Sequence, residues 1–390
     1  MKTTSLLLLL IVSAFAHAQT PTLDWGYGSG SQSSSDLVNE VNITPQNNLL
    51  ITGACTGTID LDFGPGSFEV GAWGYGSRYF AEYDTLGNLN WAINYLDFNG
   101  FFYDVQLDPA GNIYAVGQAW SDNPGLPDTL DFDPGAGVFD LEVDKMSQFL
   151  IKLDPNGNFL DAKILASGYT SADHIRPQSM KFDDNLDIYM CGFMEGDIDL
   201  NPGGTPNFIT TNGLIKGFIE KLDASGNTQW FHLYEESWLY DLEVDANNDV
   251  VVGGYFKDSM DFDFGPGTDW QFAGPQDSTK SFLQKFDPAG NSLWSTTFSH
   301  GRFNHVADLV IDDNGNIYSS SIGGLFLNGG NLIMQKHDPN ANQIWERAIG
   351  GNNEFGRVYA MHLDSLDNVY YGGTYIGLVD FDPNPYTEYL

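Results

Sequence analysis

Phe282-Leu-Gln-Lys-Phe-Asp-Pro-Ala-Gly-Asn-Ser-Leu-Trp294 reads as strand, turn, strand. Phe282, Gln284 and Phe286 alternate with Leu283 and Lys285, the period of an extended strand. Asp287-Pro288-Ala289-Gly290 places Asp first, Pro second and Gly fourth, the preferences of a type I turn. Gly can adopt the left-handed conformation that lets the chain double back. Residues 79–88, 149–158, 218–227 and 333–342 repeat this pattern, and three of the four run on to a tryptophan, Trp91, Trp230 or Trp345. The turn aspartates Asp84, Asp154, Asp223, Asp287 and Asp338 are 70, 69, 64 and 51 residues apart. A unit of that length, repeated that often, predicts a repeat architecture.

Each unit carries a second hairpin. Asp108-Pro-Ala-Gly-Asn-Ile-Tyr-Ala-Val-Gly117 is the clearest copy, and 312–318 matches it. Residues 183–189, 245–250 and 364–370 are looser versions. A short apolar strand precedes each turn, so one unit is four antiparallel strands. Such a sheet has two apolar faces and cannot bury both alone. Stacking neighbours around an axis solves this, which is a β-propeller. A linear β-solenoid is the other repeat solution, but its units are shorter and lack paired hairpins. The expected fold is all-β: five fuller blades, at about 36–95, 102–166, 175–234, 238–299 and 304–349, with a partial sixth at 357–390.

The motif Asp-x-x-Gly-Asn-Ile-Tyr-x-x-Gly, followed by Phe-x-x-Lys-(aromatic or Leu)-Asp-x-x-Gly-Asn-x-x-Trp, stands at 108–117 and 282–294. It resembles the bacterial β-propeller repeat family called SBBP, over most of the chain from about Trp25 onward. The resemblance implies an exported or cell-surface protein. Many members look like type IX secretion cargo with a separate C-terminal sorting domain, and no such domain is visible here. It says nothing about activity. Asp24-Trp25 resembles a fourth strand with no unit before it, and Asp380-Phe-Asp-Pro383 belongs to the middle of a unit. Two expectations follow: a piece of a longer propeller, or a six-bladed ring with an incomplete last blade.

Composition agrees with strands and tight turns: 14% aromatic residues and 44 glycines among 390 residues. Residues 1–18 read as a secretory leader, with Lys2, an apolar run from Leu6 to Phe15 and a small-x-small site at Ala16-His17-Ala18. The run is short for a membrane span, which needs about 20 apolar residues. The mature repeat domain is then 19–390, secreted or at the cell surface, with no transmembrane segment after cleavage. The net charge of −36, without basic clusters, excludes nucleic acid and anionic membranes as partners. Cys55 and Cys191 fall in the first and third units, so no disulfide is expected.

A recurring acidic pair follows the second strand: Asp60 and Asp62, Asp131 and Asp133, Asp197 and Asp199, Asp261 and Asp263, Asp380 and Asp382. Alternation puts both carboxylates of a pair on one side, where Ca²⁺ would find oxygen ligands. The competing reading is that each Asp accepts hydrogen bonds from loop N–H groups. The first strand starts with an acid at Glu40, Asp104, Asp241 and Asp308, with Ser179 and Ala360 as exceptions. These acids read either as a partial ring around the channel or as caps on a neighbouring blade's backbone. Lys152, Lys221, Lys285 and Lys336 recur in the third strand and read as architectural, stem packed and ammonium in water.

The connections between units are the richest loops and the place to look for binding. They supply the candidate ligand residues Phe98, Phe102, Tyr169, His174, Glu235, Trp238, His300, Arg302, His305 and Arg357. Aromatic rings beside polar groups suit a glycan or a protein partner; the opposing reading folds the rings inward as a plug. Glu235, His300, Arg302 and His305 are the one set with acid–base potential, but their spacing matches no metal or nucleophile motif. The principal expectation is a non-catalytic binding scaffold, with calcium as an optional stabiliser. The alternatives are a polysaccharide lyase or glycosidase with its site at the channel mouth, and a spacer in a larger surface protein.

Overall fold

The computed structural model describes residues 36–376, apart from 72–76, 97, 123–126, 275–278, 300–302, 325–329 and 350–354. The leader, Asp24-Trp25 and 380–383 therefore lie outside the described residues. Every described element is a strand, and no described helix is long and apolar enough to cross a membrane. The fold is all-β and of the propeller type, built from four-stranded antiparallel blades whose strands follow in chain order. The described chain divides into two compact units. One holds the described residues up to Asp144 together with Phe149–Ile164; the other holds Lys145–Gln148 and the described residues from Leu165.

In the first unit, Asp36–Ile43, Leu49–Cys55, Ser77–Tyr83 and Leu89–Tyr95 form the first blade. The second blade has the order Gly100–Leu107, Ile113–Ala119, Met146–Leu153, Phe159–Gly168, and the unit boundary falls within its last two strands. The second unit has two further blades, His174–Phe182, Ile188–Glu195, Lys216–Leu222, Thr228–Tyr234 and Ser237–Val244, Val250–Lys257, Thr279–Phe286, Ser292–Phe298. A fifth follows, Phe303–Ile311, Ile317–Gly324, Gly330–His337 and Gln343–Ile349, and then the hairpin Phe355–Leu363 with Val369–Ile376.

The hairpin turns hold as the sequence predicts. In the turn at 287–291, Gly290 N donates to Asp287 O at 2.9 Å, and Ala289 N and Asn291 N donate to Asp287 Oδ1 at 3.0 and 2.9 Å. Asn291 Nδ2 closes the loop on Oδ2 at 2.8 Å. Equivalent bonds from Asn88, Asn342 and Asn368 hold Asp84, Asp338 and Asp364 below the usual carboxylate range, Asp364 at about 2. Gly290 sits at φ +83°, and a Cβ there would lie 2.9 Å from the Trp230 ring of the preceding blade. Trp230 Nε1 donates to Pro288 O and Trp294 Nε1 to Pro339 O, each at 3.1 Å. Two of the recurring tryptophans thus tie one blade to the turn of the next.

Two of the recurring lysines, Lys221 and Lys285, are buried and paired, whereas Lys152 and Lys336 are half-buried. Lys221 Nζ lies 2.9 Å from Asp183 and 3.2 Å from Asp187, and Lys285 Nζ lies 2.7 Å from Asp245 and 3.1 Å from Asp249. These side chains are buried, so each lysine neutralises the turn acid of its own blade. The first blade shows the coupling by exception: Thr44 replaces the turn acid, Glu82 replaces the lysine, and Asn48 Nδ2 donates to Glu82 at 3.0 Å.

The interior is aromatic. In the first unit Phe80, Phe98, Phe102, Phe132 and Phe149 form one buried cluster. In the second, Tyr189 and Ile219 of one blade pack with Leu242, Val252 and Phe286 of the next. Each such side chain contributes about 1.5–3 kcal/mol on burial. Cys55 and Cys191 are buried and unbridged.

Candidate functional site

The acidic pairs open a small ribbon between the second and third strands of the first four blades: Ile59–Asp60 with Glu69–Val70, Asp128–Asp131 with Asp140–Val143, Asp197–Asp199 with Phe208–Thr210, and Ser259–Asp261 with Trp270–Phe272. Asp60 Oδ1 accepts from Asp62 N at 3.0 Å and Phe68 N at 2.8 Å, and Asp62 Oδ1 accepts from Gly64 N at 2.8 Å. Asp131 and Asp133 accept the same three bonds, as do Asp261 and Asp263. The residue between the acids is a core anchor: Leu61, Phe132 and Phe262 are all buried. Alternation thus turns both carboxylates toward the loop while their neighbour goes inward. In the third blade the working pair is Asp199 and Asn201, one step later than the sequence grouping of Asp197 with Asp199; Asp199 Oδ1 accepts from Asn201 N and Asn207 N at 3.0 and 2.8 Å. Among the described residues no three His, Cys, Asp or Glu side chains stand together as a metal would need. Asp380 and Asp382 lie outside the described residues.

Two of the first-strand acids, Asp241 and Asp308, cap the next blade. Asp241 Oδ2 accepts from Leu309 N at 2.7 Å, and Asp308 Oδ2 accepts from Met361 N. Burial, followed by the charge of adjacent Asp241, pushes the Asp308 carboxyl well up. These are links between blades.

The loop candidates divide. Phe98 and Phe102 are not available to a ligand: both are 3% exposed, stacked 5.9 Å apart in the core, because apolar rings gain more from burial than from water. Glu235 is exposed and pairs with Lys216 Nζ at 2.6 Å. Tyr169 is exposed, its hydroxyl 3.0 Å from Asp199 Oδ2 and its ring 5.8 Å from Phe208. His174 is half-buried, opposite Glu195 in the strand ladder. His300 and Arg302 lie outside the described residues, as does the Arg357 side chain; the Arg357 backbone pairs with Thr374.

Trp238 and His305 belong to an arrangement that loops do not explain. Every first strand has a register shift just before the acid position: 38/40, 102/104, 177/179, 239/241, 306/308 and 358/360. The extra residue reverses the alternation. Trp238 pairs with Tyr255 and Asp241 with Gly253, so the two side chains share a face that strict alternation would deny them. Three residues before the acid position stand Leu37, Phe101, Arg176, Trp238, His305 and Arg357, five of them planar groups. Strand patterning singles out Trp238, His305 and Arg357 only as loop flanks; it misses Phe101 and Arg176. Counting back from the recurring acid would have found both.

In the second unit these residues make a continuous row over three blades. The Arg176 guanidinium lies 6.0 Å from the Phe193 ring centre. Phe193 lies 4.5 Å from Trp238, Trp238 about 6 Å from Tyr240 and Tyr255, and Tyr240 5.0 Å from His305. Arg176 is exposed and the rings are half-buried. Trp238 Nε1 is buried without an acceptor in the protein. Burial raises the Tyr255 phenol above its ordinary pKa, so it stays neutral. The first unit has a counterpart: Phe101, 40% exposed, lies tilted against Trp120 at 5.4 Å with the Arg78 guanidinium 4.5 Å from its centre. Arg78 Nε is held by Gly100 O at 2.9 Å.

No family model matches the chain. It is 25% identical, over 61% of its length, to an uncharacterized WD repeat-containing protein of Acanthamoeba polyphaga mimivirus, and spans 18% of that relative. Among solved structures it is similar to an ulvan lyase described as a new family of polysaccharide lyase, at a TM-score of 0.39 and 10% identity, covering 82% of this chain and 72% of that one. A second structure of that lyase, bound to -[GlcA(1-4)Rha3S]-, has the same TM-score at 11% identity, covering 82% and 71%. The chain is of the repeat β-propeller kind.

Proposed function

We propose that this chain is a non-catalytic binding scaffold, exported in the manner the leader and the SBBP-like turns lead one to expect, and that its ligand meets the planar side chains preceding the first-strand bulge. The observation that carries this is the register: one position, fixed by a bulge in every blade, filled by a different residue almost every time. Bulges re-aim side chains, and a rigid sheet is a good base for a recognition surface. Catalysis finds less support. Glu235 is engaged by Lys216 and His305 packs on Tyr240, so these two members of the acid–base set have separate structural partners.

A mixed glycan and peptide array probed with the intact protein and with Trp238→Ala tests the reading. Binding by the wild type that falls at least tenfold in the variant supports it. Binding that the substitution leaves untouched contradicts it, as does cleavage of an arrayed glycan.

A further inference from the structure

We infer that the row Arg176, Phe193, Trp238, Tyr255, Tyr240 and His305 is a platform for a chain of uncharged pyranose sugars; this rests on the binding-face reading above. A pyranose offers an apolar C–H face and a polar rim of hydroxyls. It therefore suits rings that are flat, half-buried and polar at the edge. The row supplies such rings in unbroken succession, each 4.5–6.2 Å from the next, across the first and second strands of the third, fourth and fifth blades. Half-burial fixes the rings before a ligand arrives, which lowers the ordering cost of binding. Polar edges follow the same line: the Tyr240 and Tyr255 hydroxyls, His305 and the Arg176 guanidinium.

Charge selects among sugars. The protein carries 52 acidic against 16 basic side chains, and Asp241 stands on the same first strand as Trp238 and Tyr240. A polyanionic glycan would approach against that field, whereas a neutral one is indifferent to it. The bulge selects against a peptide. A peptide adding as a strand needs a regular edge ladder, and the bulge at 239/241 breaks the ladder beside Trp238.

Native gel electrophoresis of the intact chain, in gels cast with galactomannan, xyloglucan, mixed-linkage β-glucan or alginate, tests this. The expected result is retardation in at least one neutral gel, weakened at least tenfold by Trp238→Ala, several-fold by Tyr240→Ala, and retained by Trp238→Phe. Trp270→Ala, which removes an exposed ring on a ribbon of the same unit, should change nothing. Tyr240→Ala serves as the second variant should Trp238→Ala fold poorly. Retardation in no neutral gel, in alginate alone, or equally in wild type and both alanine variants overturns the inference. If the array shows peptide binding that needs Trp238 while the neutral gels show none, the sugar inference falls and the binding-face reading stands. If nothing depends on Trp238 or Tyr240, both fall.

Discussion

Two sets of positions in each blade behave in opposite ways. At the hairpin turns, Asp, Asn and the lysine facing them recur almost unchanged, and each atom has an assigned partner in the fold: Asp287 with Asn291, Lys285 with Asp245 and Asp249. Three residues before the first-strand acid, the backbone recurs but the side chain does not: Leu37, Phe101, Arg176, Trp238, His305, Arg357. Within one repeat protein, a residue that returns in every unit solves a problem that every unit has. A residue that changes at a fixed and partly exposed position is free to meet something outside. Variation alone does not mark a site, since Ala81, Ile151, Glu220 and Gln284 also differ at one register position and are buried. Exposure has to accompany it.

The largest effect should come from the repeating set. Lys285→Met keeps the stem but strands Asp245 and Asp249 in the interior, and should lower unfolding free energy by about 3–5 kcal/mol in urea titrations. A loss below about 1 kcal/mol would place the pair among surface ion pairs and weaken the comparison.

Glu220 gives an effect of similar size that depends on pH. Desolvation pushes its carboxyl up to about 7, against a hydrogen bond from Gln148 Nε2 at 3.4 Å that favours the charged form. The folded chain therefore holds a proton that the unfolded chain releases. Stability should fall as pH rises from about 4.5 to about 7, by roughly 3 kcal/mol, and level off above. Glu220→Gln should remove that slope; equal slopes in both proteins would mean that the carboxyl is ionised in the fold.

Asp261→Ala removes the acceptor of two loop N–H groups, 3.1 and 2.6 Å away, and should cost about 1–2 kcal/mol. Since the ribbon acids serve their own loops, neither EDTA nor millimolar Ca²⁺ should move the melting temperature. A rise of several degrees with Ca²⁺ would transfer the ribbons from scaffold to site. The smallest effect has the opposite sign. Ala341 stands where other turns have glycine and is held at φ 65°, so Ala341→Gly should stabilise by about 0.5–1 kcal/mol in the same titration.

The repeat, the turns and the strands were legible because local chemistry dictates them. Asp287 to Gly290 forms its turn from its own residues, and alternation in 282–286 sets which side chains go inward. What was not legible depends on partners far away in the chain. Lys285 looks like any solvated lysine until the turn acid Asp245, 40 residues earlier, comes beside it. Phe98 and Phe102 look like loop aromatics until Phe132 and Phe149 close over them. The row is hidden in the sequence because a bulge is one extra residue that disrupts the period of a strand. Arg176 and Trp238 seem unrelated until the recurring acid three residues on aligns them.

The most direct test is a paired measurement on Trp238→Ala/Tyr240→Ala: melting temperature, and retention on a neutral polysaccharide that retains the wild type. The account predicts a melting temperature within a few degrees of wild type and no retention. Undiminished retention, or a chain that no longer folds, would contradict it.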